Sequence, residues 1–205
     1  PVGVLKAPLE LDHFHECGIG NLTADALRER MGADVALVCS GQFHQGLPAG
    51  TITLGQLDRA CFTTANPCAT EVRGAQIVAA LERGLDPAVS QFKHHGFRGT
   101  PMGILQISGM VVEYDPDAEV GQRVQGVVLR GGQGGEDHPL DPDRLYRLAH
   151  TDAETIPEVG YLVLDEGQET EHEVPTIVCE VIEDYVRRRS PLGAPAHGRW
   201  IAVSS

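Results

Sequence analysis

The sequence predicts an α+β domain, and three observations carry that prediction. Apolar residues recur at helical spacing in some stretches and form short, strand-sized runs in others. The two kinds of element follow one another without the regular β-α alternation of a doubly wound sheet. Hydrophobic residues make up 41% of the 205 positions, enough to fill the core of one large domain.

Taken in order, the first helix is signalled by Asn21 as a cap, with Leu22, Ala26, Leu27 and Met31 on one face until Gly32 stops the run. Val35 to Cys39 is a short apolar run between turn formers and reads as a buried strand, delivering Ser40-Gly41-Gln42-Phe43-His44 to a loop. Thr53 followed by Gln56 is a capping-box spacing, and a short helix is expected through Leu57. A strand over Cys68 to Val72 leads into a helix carried by Ala75, Ile77, Ala80 and Leu81 that ends at Gly84. Ile104 to Tyr114 and Arg123 to Leu129 read as strands of a meander turned by Asp115-Pro116-Asp117, and Tyr146 to Ala149 as a further strand. Gly131 to Gly135 is a flexible tip, lacking the Lys and following helix of a phosphate cradle. Pro175 at the first helical position, with Ile177, Val178, Val181, Ile182 and Tyr185 behind it, opens a C-terminal amphipathic helix. Arg187 to Arg189 close it, where cations complement the helix dipole.

Sixteen Lys and Arg against 29 Asp and Glu leave a net charge of −13, which disfavours nucleic acid as a partner. A small anion remains compatible with the chain if a local pocket of donors is set against that background. No stretch approaches the roughly 18 uncharged apolar residues of a membrane-spanning helix. Five cysteines, an odd number with no C-x-x-C pair, read as buried free thiols. The odd count favours a reducing compartment, although one bridge plus three free thiols would suit an exported protein. The sequence opens on Pro1 with no basic segment ahead of an apolar one, so further chain is expected upstream.

His13, His15 and Glu16 offer the beginning of a metal site, but nothing else in the chain has the spacing to complete one. No G-x-S-x-G elbow and no Cys with a partnering His is found, so covalent catalysis has no support and no catalytic residue is assigned. Two loops could hold a ligand. Ser40 to His44 gathers a hydroxyl, an amide, an imidazole and a glycine that allows close approach, or is an ordinary polar exit from a strand. His94-His95-Gly96-Phe97-Arg98-Gly99 sets a cation between glycines, where Arg98 either meets an anion or pairs with a surface carboxylate.

The segments Glu16-Cys17-Gly18-Ile19-Gly20-Asn21-Leu22-Thr23-Ala24-Asp25, Gly32 to Val38, Leu47-Pro48-Ala49-Gly50-Thr51-Ile52-Thr53, Glu71-Val72-Arg73-Gly74-Ala75-Gln76, Leu105-Gln106-Ile107-Ser108-Gly109 and Leu140 to Arg147 occur in one order over nearly the whole chain. Together they resemble the 5'-nucleotidase C-terminal domain. Asn66-Pro67-Cys68 and Gly96-Phe97-Arg98-Gly99-Thr100-Pro101-Met102-Gly103 resemble a divergent branch, the bifunctional metallophosphatase/5'-nucleotidases.

The resemblance implies helices packed outside mixed β-sheets and a single substrate-binding domain over residues 1–205. It also implies an N-terminal metallophosphoesterase domain, joined in cis, that holds divalent metal ions and activates water against a phosphate ester. No segment resembles the D-x-H or G-N-H-[DE] signatures of that half, and catalysis by the isolated chain is not expected. The partner implied is a nucleotide or related phosphate ester.

By the same resemblance the family's N-G-G-G-I-R loop corresponds to Cys39 to His44, so Cys39 replaces its Asn and His44 its phosphate-contacting Arg, while His13 replaces a second Arg. Arg to His loses the bidentate fork and makes the charge depend on pH. The two rings that clamp the base correspond to Phe62 and Tyr161, and Arg98 takes over part of the anion binding. The implied substrate site is therefore Ser40, Gly41, His44, Phe62, Arg98 and Tyr161. A non-catalytic ligand-binding or scaffold module derived from the same domain is the alternative.

Overall fold

The computed structural model describes residues 1–92, 99–131, 135–156, 160–164 and 169–203. Its centre is β2 (Val35–Cys39), in which every residue is buried because the strand is covered on both faces. It lies in a five-stranded sheet ordered β10-β4-β9-β2-β5, formed with β4 (Pro67–Arg73), β5 (Leu105–Ser108), β9 (Leu145–Thr151) and β10 (Thr170–His172). β2 runs parallel to β9 and antiparallel to β5, and β4 pairs with β9 from Pro67 opposite Thr151 to Arg73 opposite Leu145.

The period-two alternation of β2 assigns its side chains to two cores. Ala36 and Val38 point to one, filled by Leu22 and Leu27 of α1 (Gly18–Arg30), Leu57 of α2 (Leu54–Ala60) and Val181 and Ile182 of α5 (Val178–Arg189). Val35, Leu37 and Cys39 point to the other, filled by Ile77 and Leu81 of α3 (Gly74–Leu85) and by Met110, Val112, Val127 and Leu129 of a second sheet. That sheet is four-stranded, ordered β11-β6-β7-β8, from β6 (Met110–Tyr114), β7 (Val124–Leu129), β8 (His138–Pro139) and β11 (Trp200–Ala202). A ribbon of β1 (Gly3–Leu5) with β3 (Gly50–Ile52) and the short α4 (Pro87–Ser90) complete the elements. The fold is α+β, with helices outside mixed sheets.

Several expectations are corrected. The apolar run from Ile104 to Tyr114 is two strands, because Gly109 adopts φ +80°, a left-handed conformation that bends the chain out of the first sheet and into the second. A Cβ there would lie 2.4 Å from Asp34 O. α1 starts at Gly18, with Cys17 in the capping position, so Asn21 lies within the first turn instead of ahead of it. Its amide donates to Glu16 Oε1 (2.7 Å) and to Ala196 O (3.2 Å). α5 begins at Val178, not at Pro175, because the Glu180 carboxylate accepts the backbone N–H of Ile177 at 3.0 Å and closes the turn there. Thr53 and Gln56 form the expected cap, with Thr53 N and Oγ1 both donating to Gln56 Oε1.

Glu16, Asn21 and Asp25 act as a clasp on the C-terminal segment. Glu16 Oε2 accepts from Gly198 N and Arg199 N, both at 3.0 Å, and Asp25 Oδ2 accepts from Arg199 Nη2 at 2.8 Å. His15 bonds instead to Asp12, and His13 to the Ser40 carbonyl, so the three residues that suggested a metal site diverge. Arg187, Arg188 and Arg189 are taken up by ion pairs with Glu183, Asp184 and Glu29. All five cysteines are buried and free. Among the described residues no helix is long and apolar enough to cross a membrane.

Candidate functional site

The C-terminal end of β2 runs into a single 3-10 turn, Ser40–Gln42. A buried carboxylate fixes that turn from beneath. Glu154 Oε1 accepts from Cys39 N (2.9 Å) and Gln42 Nε2 (2.6 Å), and Oε2 accepts from Thr151 N (2.8 Å) and Thr151 Oγ1 (2.5 Å). Thr151 ends β9, the parallel neighbour of β2, so one side chain ties together the ends of two strands and the turn beyond them. Glu154 is 0% exposed. Burial pushes its pKa up, and the donors from Cys39, Thr151 and Gln42 oppose that shift. Cys39 N, Gln42 Nε2 and Thr151 N can only donate, which favours the ionised carboxylate and works against the upward push of burial.

From above, residues 99–104 strap the turn down. Ser40 N donates to Ile104 O (3.0 Å), Gly41 N donates to Met102 O (2.9 Å), and Thr100 Oγ1 donates to Gly41 O (2.7 Å). The strap passes so close that a Cβ on residue 41 would lie 2.3 Å from Pro101 O, which is why Gly41 stands there. Ser40 Oγ donates to His13 O at 2.9 Å. Ser40 and Gly41 are therefore buried, with their donors engaged inside the protein, and they brace the turn. The ligand contact expected of them finds no open surface.

His44 emerges where the chain leaves the turn. Its backbone N–H bonds to Ala60 O at 2.9 Å, Phe43 bridges to Cys61, and its exposed ring meets the half-buried Phe62 edge to face with centroids 3.8 Å apart. His13 completes the group. Its Nδ1 lies 3.2 Å from Ser40 O, which requires the proton on Nδ1. Partial burial lowers the His13 pKa, the Ser40 carbonyl and Asp12 oppose this, and the nearby charge of His44 adds to the lowering. The exposed face of the site is thus made by His13, His44 and Phe62.

The remaining residues expected here are placed elsewhere. Tyr161 is 0% exposed and packs in the second core, where burial pushes the pKa of its phenol far up. It presents no face to solvent, so Tyr161 and Phe62 do not form a clamp across an open cleft. Arg98, with His94 and His95, lies outside the described residues. Glu154 is the residue that sequence reasoning missed, and Gln42, read as a possible ligand donor, turns inward to it. The available signal was the capping-box spacing Thr151-x-x-Glu154 at the end of a strand.

This geometry yields two predictions. Glu154→Gln sets an amide N–H₂ against donors that a carboxylate satisfies, and about 1–3 kcal/mol of stability is lost; an unchanged urea midpoint contradicts that role. His13 has a lowered native pKa, so below about pH 6.5 the unfolded chain binds more protons and stability falls as pH drops through that range. Unfolding measured at about pH 7.5 and about pH 5 checks the sign, because His13→Gln removes this part of the loss.

Comparison with known proteins places the fold in a family. A metallophosphoesterase of Bacillus subtilis (strain 168), the uncharacterized YunD, is 27% identical over 183 residues, covering 88% of this chain and 38% of that protein. The snake venom 5'-nucleotidase of Crotalus adamanteus is 25% identical over 214 residues, covering 96% of this chain and 34% of that protein. The chain thus spans between a third and two-fifths of the length of these curated relatives. The crystal structure of a 5'-nucleotidase precursor from Thermus thermophilus superposes over 100% of this chain and 39% of its own length, with a TM-score of 0.85 at 23% identity, and so shares the fold. Residues 1–161 match the family model of the 5'-nucleotidase C-terminal domain, and the chain belongs to that family.

Proposed function

We propose that this chain is the substrate-binding half of a metal-dependent 5'-nucleotidase-type phosphohydrolase acting on a nucleotide or related phosphate ester. The observation that carries the reading is the extent of the match. Residues 1–161 fit the C-terminal domain of such enzymes, and the chain spans 34% of a protein named a 5'-nucleotidase and 38% of one named a metallophosphoesterase. The remaining length of those relatives is where a metallophosphoesterase domain would be joined in cis, supplying the divalent metal ions. Among the described residues of this chain, no group of three or more His, Cys, Asp and Glu side chains is placed to hold a metal ion, and no step through a metal is assigned to them.

On this reading the chain binds and orients. With a net charge of −13 against it, a phosphate ester needs local donors, and the exposed His44 imidazole beside His13 offers them. The buried Glu154 and the strap over Gly41 hold His44 in place before the ligand arrives, so little ordering entropy is lost on binding. Phe62 packs against the His44 ring and limits its rotation.

Calorimetry with AMP tests the proposal. The chain is expected to bind AMP, and His44→Ala to weaken that binding roughly tenfold or more, the range for one hydrogen bond to a charged group. Absence of heat with AMP, together with no thermal shift, contradicts the proposal and leaves the scaffold module as the reading of this domain.

A further inference from the structure

A net charge of −13 sets this chain against anions in general, yet one cavity of about 410 Å³ is lined by Arg28, Arg130, Arg189 and Arg199, four of its 14 arginines. The cavity lies where α1 and α5 meet the bend at Gly109 and the C-terminal segment, and it shares no lining residue with the face made by His13, His44 and Phe62.

Among the described residues two carboxylates stand in the lining, Asp25 and Glu29, and both are already committed. Asp25 Oδ1 accepts from Ser108 Oγ at 2.5 Å, and Oδ2 from Arg199 Nη2 at 2.8 Å. Glu29 Oε1 accepts from Arg188 Nη1 at 2.6 Å, and Oε2 from Arg189 Nη2. Neither has charge to spare for a further guanidinium.

Arg28 is the group left over. Its Nε donates at 2.9 Å to the buried Ser108 hydroxyl, which in turn donates to Asp25, and this contact orients the guanidinium plane. The side chain lies across the bend, since a Cβ on residue 109 would come within 3.0 Å of Arg28 Cδ. Both terminal amino groups have no acceptor among the described residues. A cation in the last turn of a helix also complements the helix dipole. Here, however, Leu27 O, Arg28 O and Glu29 O take the N–H groups of Met31, Ala33 and Gly32, so the end of α1 makes no use of the fork.

Arg130 brings a second fork. Its Nη1 pairs with Asp137, both side chains being exposed, while its Nε and Nη2 have no acceptor among the described residues. An exposed pair of this kind contributes little stability, so a ligand can share or displace it. Tyr185, whose ring centroid lies 4.6 Å from Arg189 Cζ, adds a hydroxyl with no hydrogen bond among the described residues. Met110 and Val111, the large apolar residues of the lining, are buried, so the open wall is polar.

Guanidinium groups gathered around one space repel each other unless an anion lies between them. We infer that this cavity is a binding site for a small polyvalent oxyanion, phosphate-bearing or polycarboxylate, held between the forks of Arg28 and Arg130. Planar forks match both kinds of anion, because each presents a pair of oxygens to two parallel N–H groups. The site uses none of the residues assigned to the nucleotide and stands whether or not AMP binds.

Calorimetry at low salt, with pyrophosphate as the phosphate-bearing probe and citrate as the polycarboxylate, tests this. At least one is expected to bind at a single site, and the tighter of the two names the source of the anion. Arg28→Gln and Arg130→Gln are each expected to weaken that probe roughly tenfold, the range for a hydrogen bond to a charged group, and His44→Ala to leave it unchanged. The Arg130 side chain is 58% exposed, so Arg130→Gln preserves the fold, and it decides the matter alone if the urea midpoint shows Arg28→Gln to be unfolded. No saturable binding of either probe, an affinity unaltered by Arg130→Gln, or binding lost in His44→Ala and kept in the arginine variants would each overturn the assignment.

Discussion

A carboxylate with no access to water, Glu154, holds the end of the central strand in place. Removing such a group from water costs several kcal/mol unless its lone pairs are filled. Here Cys39 N, Gln42 Nε2, Thr151 N and Thr151 Oγ1 fill all four positions. The consequence reaches the surface. With Glu154 below and residues 99–104 above, the turn at Ser40–Gln42 has one conformation, and the direction in which His44 leaves it is set before any ligand is present. The same arrangement explains why Ser40 and Gly41 are structural. In a turn bonded on both sides, their donors already have partners.

The second constraint is the transfer of the chain from one sheet to the other at Gly109. Because that residue can take a positive φ, Leu105–Ser108 pairs with β2 while Met110–Tyr114 pairs with β7 and, in parallel, with β11. The transfer places Tyr114 and Trp200 next to the loop of residues 12–17 that Gln106 fixes to β5. That loop is then shared by two features, the histidine pair near Ser40 and an aromatic cleft beyond Ile104.

The strands and helices with strong periodicity were legible in the sequence because period alone settles them. The unbroken apolar run of β2 says that both its faces are covered, and the spacing of Ile77, Ala80 and Leu81 says that α3 has one buried face. Boundaries were less legible where a good local signal competed with a tertiary one. Asn21 has the chemistry of a cap, but its amide is drawn to Glu16 and Ala196, and Pro175 would suit a first helical position had Glu180 not closed the turn at Ile177. The Glu16, Asn21 and Asp25 motif that identifies the family turns out to hold the C-terminal strand, so it speaks to ancestry and packing more than to chemistry. Of the candidate site, His44 was legible in the loop beyond a buried strand and Phe62 through the family resemblance, while the contact between their rings came only with the structure. The burial of Tyr161 was not, since whether a ring faces a cleft or a core depends on contacts with α3 that lie far away in sequence.

The central claim is that a nucleotide engages the face built on the end of β2 and on residues 12–17. The measurement that tests it most directly is a titration of the isotope-labelled chain with AMP, followed by backbone amide and indole N–H chemical shifts. The largest changes are expected at the backbone amides of His13, His44 and Phe62. Changes confined to α5 or to the β7–β8 hairpin, or none at all with saturating AMP, would contradict it.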